Sequence, residues 1–160
     1  IYLKMKMKKK TIRFFISIVS LILFLLLYYL VSFQETINEE KIVTKIIDGD
    51  TVIVEGGETI RFLGIDCDEK GRECYDDAKN RIDELLLNNR VTLEKENEDK
   101  DRYGRSLRYI FLNNENINLK MVKEGYCVAR FENQDSKYKT DIQEAERYAI
   151  SNKIGCKWSK

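Results

Sequence analysis

The stretch VTKIIDGDTVIVEGGETIRFLGIDCDE, residues 43–69, decides the fold. Apolar and polar residues alternate through it in short runs, a pattern typical of β-strands that bury one face. Asp48-Gly49-Asp50 interrupts the alternation once and Gly56-Gly57 interrupts it again, and both are hairpin-turn sequences. The pattern therefore predicts a three-stranded antiparallel meander over residues 41–47, 51–55 and 59–65.

The rest of the chain predicts helices and two more strands. Apolar residues recur at helical spacing from Cys74 to Leu86, and Asn88-Asn89 ends that helix. Residues 90–96 and 106–112 resume the β pattern. Asn118 is suited to cap a short helix that stops at Gly125, and a last helix is expected to start near residue 135. Five short strands with about three helices indicate an α+β fold built on a closed five-stranded β-barrel of the OB type.

The first 33 residues differ from this pattern. They contain six Lys or Arg and no acid, and residues 14–33 carry no charge. A run of that length predicts a transmembrane helix, and without an Ala-x-Ala-like site it is typical of an uncleaved signal anchor. Because the flanking charge is positive, residue 34 onward is expected outside the cytoplasm, membrane-anchored, or secreted if the segment is cleaved. The predicted division is therefore an anchor at 1–33, a tether at 34–40 and a barrel domain at 41–160.

Charge and composition limit the possible functions of the barrel domain. Residues 34–160 carry 22 basic and 27 acidic side chains, a net charge of −5, which argues against indiscriminate binding of polyanions. The chain has no His, so carboxylates must do any acid or base work. Its four Cys lack the close spacing of zinc knuckles, and either two disulfides or free thiols are compatible with the sequence.

Acidic and basic side chains cluster in and around the meander. Asp50 follows a tight turn and Asp66 ends the third strand, so antiparallel pairing could bring both to one rim. Two carboxylates with a main-chain carbonyl and water suit Ca²⁺, although solvated turn acids would have the same spacing. Arg61 and Arg105 could clamp a phosphate, or could simply lie on the surface.

Five motifs along the chain together resemble one known family. They are, in order, IDGDTV, IRFLGIDCDE, DRYGRSLRYI, MVKEGYCVARF and EAERYAISNKIGCKWS. In order and spacing they are similar to the staphylococcal nuclease (thermonuclease) family, over about residues 41–159. The resemblance implies a Ca²⁺-dependent endonuclease that hydrolyses DNA and/or RNA and leaves 3′-phosphate and 5′-hydroxyl ends.

The resemblance also implies a metal site. Asp50 and Asp66 match the family's Ca²⁺-binding carboxylates, and Cys67 falls where a Thr supplies its main-chain carbonyl to the ion. The family's Thr-Pro is Cys67-Asp68 here, which adds a negative charge that we expect beside the metal. The stretch after Glu69 is shorter than in the best-known member, so a basic substrate loop is expected to be reduced.

The remaining site residues follow from the same resemblance. Glu69 matches the family's proposed general base, and Arg61 and Arg105 match the two arginines that hold the scissile phosphate. Tyr103 and Phe131 fall near positions where the family places aromatic rings against the nucleotide, although core packing is an equal alternative for Phe131. Other nearby basic side chains could form a local basic rim, although solvated side chains are the default expectation for each: Lys70, Arg72, Arg102 and Arg130.

Family packing further implies that Cys127 and Cys156 are neighbours able to form a disulfide. Cys67 and Cys74 are a less certain second pair. The partners expected are therefore nucleic acid and, through the N-terminal helix, a membrane, with no protein partner inferred. The alternative functions are a catalytically silent OB module that only binds nucleic acid, and a structural surface domain with solvated acids.

Overall fold

The computed structural model describes residues 9–34, 39–96, 98–131 and 136–159. The chain divides into two compact units, Ile1–Ile37 and Asn38–Lys160. The first unit contains helix α1 (Lys9–Gln34). Among the described residues, no helix combines the length and the apolar character needed to cross a membrane. The transmembrane helix predicted at 1–33 is therefore not supported, because an uncharged run in the sequence is not enough to establish a span.

The described part of the second unit contains eight strands and four helices. The strands are β1 (Glu39–Ile46), β2 (Thr51–Val54), β3 (Thr59–Phe62), β4 (Ile65–Cys67), β5 (Arg90–Glu94), β6 (Ser106–Leu112), β7 (Glu115–Asn116) and β8 (Cys127–Ala129). The helices are α2 (Tyr75–Leu86), α3 (Ile117–Lys123), α4 (Lys139–Ser151) and the single turn α5 (Gly155–Trp158).

Five of the strands close into a barrel. The antiparallel order is β3-β2-β1-β5-β6, with β7 added at the edge, and a parallel pairing of β3 with β6 completes the circle. Ile60 lies opposite Ser106 in that parallel pair, and Phe62 lies opposite Arg108. Large side chains fill the interior, including the fully buried Tyr109. The predicted α+β fold with a five-stranded OB-type barrel is confirmed.

The predicted third strand is interrupted near its end. β3 stops at Phe62 and β4 begins at Ile65, because Gly64 takes a left-handed conformation with φ of 74°. A side chain at this position would meet the ring of Phe131, since an added Cβ would lie 2.6 Å from its Cε1 atom. β4 then leaves the barrel and pairs antiparallel with β8. This two-stranded ribbon carries Asp66.

Two helix starts differ from expectation. Asn116, not Asn118, caps α3, and its side chain accepts a hydrogen bond from the Leu119 N–H at 3.1 Å. Asn118 is fully buried instead, where it accepts from the Ile110 N–H at 2.9 Å and donates to the Leu63 carbonyl at 2.8 Å. A buried amide needs such partners, so Asn118 ties α3 to the barrel. The last long helix begins at Lys139, a few residues later than predicted.

The disulfide pairing also differs from the prediction. Cys67 pairs with Cys127 and Cys74 pairs with Cys156, so the expected bridges Cys127–Cys156 and Cys67–Cys74 are wrong. The reason is strand register: Cys67 and Cys127 face each other across β4 and β8, with Cα atoms 4.3 Å apart. Cys156 in α5 reaches Cys74 at the start of α2, where the Cα atoms are 5.5 Å apart.

Candidate active site

Asp50 stands at the centre of the candidate site, in the turn between β1 and β2. The Ile47 N–H donates to the Thr51 carbonyl across this turn at 3.0 Å. Asp48 shapes the turn by accepting a hydrogen bond from the Asp50 N–H at 3.1 Å. The local geometry turns the Asp50 side chain inward, where the residue is only 5% exposed.

The Asp50 carboxyl group has three polar partners. Its Oδ2 accepts from the Cys67 N–H at 2.7 Å and lies 2.6 Å from Arg61 Nη1, while its Oδ1 accepts from the Thr51 hydroxyl at 3.1 Å. Burial raises the pKa of Asp50 to about 7; the charge of Arg61 opposes this rise and the charge of Asp48 adds to it. Asp50 is therefore a group whose charge is sensitive to pH near neutrality.

Arg61 links the two carboxylates that the sequence singled out. Its Nη1 forms the ion pair with Asp50, and its Nη2 donates to Asp66 Oδ1 at 3.0 Å. The Nη1 atom is buried and, among the described residues, forms no hydrogen bond of good geometry. The guanidinium thus keeps hydrogen-bonding capacity beyond its two carboxylate partners.

Asp66 uses its second oxygen to contact another arginine. Oδ2 lies 2.9 Å from Arg130 Nη1, and the Arg130 side chain is 67% exposed. The sequence alone does not reveal this contact, because the closeness of Arg130 to Asp66 depends on the pairing of β4 with β8. The structure brings together four side chains: Asp50, Asp66, Arg61 and Arg130.

The carboxylates of Asp50 and Asp66 carry the kind of oxygen ligand that a hard divalent cation prefers. Two carboxylates converge on a single positive point, the Arg61 guanidinium, and oxygen ligands of this kind suit Ca²⁺. Within the described ranges, no cluster of three or more Asp, Glu, Cys or His side chains forms a metal cage. The predicted site needs only two such side chains, because a main-chain carbonyl and water supply the other ligands. Cys67, the predicted carbonyl donor, lies beside Asp50 and joins the two strands of the ribbon.

Glu69 lies in the loop that follows β4. It is exposed, and its carbonyl accepts from the Arg72 N–H at 3.0 Å. Its carboxylate has no partner among the residues that the structure describes. A carboxylate in this position is accessible to water and to a bound substrate.

Asp68 behaves differently from the sequence expectation. Its Oδ1 lies 2.6 Å from Lys157 Nζ, and its Oδ2 accepts from the Cys74 N–H at 3.0 Å. Burial raises the pKa of Asp68, but Lys157 and the Cys74 N–H outweigh that effect, and the net pKa is below its ordinary value. The added charge is therefore paired with a lysine and does not stand free beside the metal site.

Arg105 lies just before β6, the strand that pairs with the strand of Arg61. It immediately precedes β6, whose Leu107 lies opposite Arg61 in the parallel pair. Its Nε donates to Asp101 Oδ2 at 2.7 Å, and the backbone N–H of Arg105 donates to Asp101 Oδ1 at 3.0 Å. Arg61 lies in β3 and Arg105 lies just before the paired strand β6, but no direct contact joins Arg105 to Asp50 or Asp66 among the described residues.

The two aromatic candidates occupy different environments. Tyr103 is 69% exposed, with the Arg102 guanidinium 4.8 Å and the Arg105 guanidinium 5.5 Å from its ring centre. Phe131 is half-buried and packs against Gly64 and the core. Of the two rings, that of Tyr103 is the more exposed to solvent.

Comparison with known proteins identifies the family. The family model described as staphylococcal nuclease homologue matches residues 59–160, more than half of the chain. The chain belongs to the staphylococcal nuclease family. Asp50 precedes the matched range, but its contacts with Arg61 and Cys67 join it to that range.

Individual members of the staphylococcal nuclease family align over most of the chain. A thermonuclease of Staphylococcus intermedius is 35% identical over 126 residues, covering 73% of this chain and 75% of the relative. A thermonuclease of Staphylococcus hyicus is 36% identical over 120 residues, covering 67% and 69%. The endonuclease YncB of Bacillus subtilis is 32% identical over 138 residues, covering 77% and 65%. The family resemblance stated from the motifs is confirmed.

Proposed function

We propose that the chain is a Ca²⁺-dependent endonuclease that hydrolyses the phosphodiester bonds of DNA and/or RNA, with Glu69 as general base. Family membership makes the chain a nuclease, a phosphodiester hydrolase. The observation that supports the finer proposal most directly is the convergence of Asp50 and Asp66 on Arg61. That arrangement would place the proposed cation ligands next to a proposed phosphate-binding group.

Asp50, Asp66 and the Cys67 carbonyl are the residues that would hold Ca²⁺. When bound, the ion supplies positive charge that stabilises the negative charge developing on the phosphoryl oxygens. The carboxylate oxygens of Asp50 and Asp66 support this role, since Ca²⁺ prefers oxygen ligands of this kind. Arg61 already contacts both carboxylates, so it remains close to any phosphate bound there.

Glu69 is proposed to take the proton from the attacking water. Its exposed carboxylate has no competing partner among the described residues, which leaves it free to accept a hydrogen bond from water. The water oxygen forms the new P–O bond as its proton passes to Glu69, and the P–O5′ bond breaks. The leaving O5′ takes a proton from solvent water to become a 5′-hydroxyl, and Glu69 returns its proton to solvent. The other product then keeps a 3′-phosphate.

Arg61 and Arg105 are proposed to hold the scissile phosphate and stabilise its charge. Both guanidinium groups stay charged through the reaction and can grip two oxygens at once. The parallel pairing of β3 with β6, which Arg105 immediately precedes, supports a joint role. Tyr103 is proposed to stack on a base of the substrate. Phe131, whose ring packs against Gly64, is proposed to contact the nucleotide.

A cleavage assay on the full chain tests this function. Single-stranded and double-stranded DNA and RNA are incubated with the protein in Ca²⁺ or in excess chelator. We expect cleavage only with Ca²⁺, and we expect Asp50→Asn to lose activity that partly returns at higher Ca²⁺. Cleavage that persists in chelator would contradict the metal requirement. Retention of single strands without any cleavage would favour the silent OB module instead.

A further inference from the structure

The C-terminal turn α5 contacts the loop that carries Glu69. We call residues 68–74 the Glu69 loop. Lys157 Nζ of α5 lies 2.6 Å from Asp68 Oδ1, and the two side chains are only 19% and 20% exposed. Ion pairs that are largely shielded from solvent interact more strongly than exposed ones, because water screens them less. This contact is therefore a substantial link between the two segments.

A second link joins the same two segments at the other end of the Glu69 loop. Cys74 forms a disulfide with Cys156, the residue before Lys157. The Cys74 N–H also donates to Asp68 Oδ2 at 3.0 Å, so the first and last residues of the loop are bonded to each other. A hydrogen bond therefore joins the two ends of the loop. Each end is also attached to α5, Asp68 through its ion pair with Lys157 and Cys74 through its disulfide with Cys156.

The far side of α5 is fixed to the body of the domain. The Lys157 N–H donates to the Gly125 carbonyl at 3.1 Å. The backbone around Gly155 also packs closely on Gly125, since a Cβ added to Gly125 would lie 1.9 Å from the Ile154 carbonyl oxygen. Both glycines have φ of 71°, a conformation that favours glycine. Because α5 is anchored in this way, it can hold the Glu69 loop in a fixed place.

We propose that Lys157 is a positioning residue for the nuclease reaction, which holds Asp68 and through it places the adjacent Glu69. Glu69 has no side-chain partner of its own among the described residues, so its position depends on the backbone of the loop. Placement of a reacting group matters strongly, since an error of about 1 Å can cost about 10²-fold in rate. The proposal rests on the proposed role of Glu69 as base.

The groups around Asp68 agree with this role. Asp68 faces the Lys157 ammonium and the Cys74 N–H, and the Arg72 side chain also lies near it. The link between α5 and the loop therefore rests on direct contacts at both oxygens of Asp68.

The test compares three variants of the full chain. Lys157→Met removes the charge and keeps the length of the side chain, Lys157→Arg keeps the charge, and Lys153→Met removes an exposed lysine from the same C-terminal stretch. Hydrogen–deuterium exchange of the peptide containing residues 68–74, and kcat and KM for a DNA substrate in Ca²⁺, are measured where every variant is fully folded.

We expect Lys157→Met to raise exchange at the Cys74 amide and to lower kcat about tenfold, with KM changed less than twofold. Lys157→Arg should restore most of kcat, and Lys153→Met should behave as wild type. Asp68→Asn should reproduce the loss, and combining it with Lys157→Met should add little, because both remove one interaction.

Two outcomes would overturn the proposal. Unchanged exchange in Lys157→Met would show that the ion pair does not hold the loop. Raised exchange with unchanged kcat would show that the loop is held but that its position does not matter for the reaction. If the wild-type protein cleaves nothing, the proposed function fails, whereas the exchange measurement still decides whether Lys157 fixes the loop.

Discussion

Single side chains of the site are held in very different ways. Arg61 contacts two carboxylates and is largely buried, whereas Glu69 is exposed and depends on its backbone. Arg61 forms ion pairs in the protein without substrate, whereas Glu69 is proposed to act on water. Substitutions at the two residues should therefore have different effects. Activity and stability measurements can separate the two.

Glu69→Gln should lower turnover by about 10² to 10⁴-fold while substrate affinity stays nearly intact. The substitution keeps size and hydrogen bonding but removes the base. Single-turnover rates and substrate binding, both in Ca²⁺, measure the two effects separately. Glu144→Gln, at a 65% exposed side chain on α4, is the matched control and should cut as fast as wild type. A Glu69→Gln protein that binds Ca²⁺ and cuts at the wild-type rate would exclude Glu69 as the base.

Asp50 should make the stability of the protein depend on pH in chelator. Its pKa is raised from 3.8 to about 7, chiefly by burial, so between these values the folded state binds a proton that the unfolded state has lost. The stabilisation is fully present below about pH 4 and disappears as pH rises through about 7. Denaturant unfolding from pH 4 to 8 should therefore show the free energy of unfolding of wild type falling relative to that of Asp50→Asn. Parallel curves for the two proteins would contradict the raised pKa.

A secondary-structure element can be predicted from the sequence when the residues that determine it lie close together in the chain. The barrel strands were found because alternation and Gly-containing turns lie within a few residues of each other. The break between β3 and β4 was missed because Gly64 is required there by Phe131, a residue far away in the sequence. The role of Asn118 was misassigned for the same reason, since its partners Ile110 and Leu63 lie outside its helix.

Gly64→Ala should destabilise the domain more than the same change at a free turn. Gly64 has φ of 74° and its new Cβ would meet Phe131 at 2.6 Å, so about 1 to 2 kcal/mol of backbone strain adds to about 1 to 3 kcal/mol of overpacking. Gly57 has φ of 81° and nothing within 4 Å, so Gly57→Ala carries the strain alone. Denaturant unfolding measures both losses. Equal losses would show that Phe131 moves aside freely.

Across the entire barrel domain, family membership and fold class could be inferred from motif order, whereas long-range connections could not. The disulfide partners are separated by 60 and 82 residues, and only the register of β4 with β8 and the docking of α5 decide them. The convergence of Asp50 and Asp66 was expected from the family, but the contact of Arg130 with Asp66 was not. The apolar run at the N-terminus led to a membrane span that the described helices do not support.

The two disulfides should therefore be detectable as specific cross-linked peptides. Protein purified without reductant and denatured should show no free thiols, and proteolysis should release peptides joining Cys67 to Cys127 and Cys74 to Cys156. Each bridge closes a long loop and should contribute up to about 4 kcal/mol by restricting the unfolded chain. Reduction should lower the denaturation midpoint accordingly. A peptide joining Cys127 to Cys156 would contradict the observed pairing.

Closure of the barrel through β3 and β6 has a consequence for how the protein is made. During synthesis the meander of β1, β2 and β3 leaves the ribosome well before β6, so the outer edge of β3 stays unpaired for that interval. An unpaired edge can recruit strands from other chains, which makes this interval the one most exposed to aggregation. The same pairing sets Arg61 opposite Leu107, beside Arg105. In a nascent chain, Arg61 and Arg105 therefore reach their final positions only after β6 has been synthesised and has paired with β3. Nuclease activity should appear only after that step of translation.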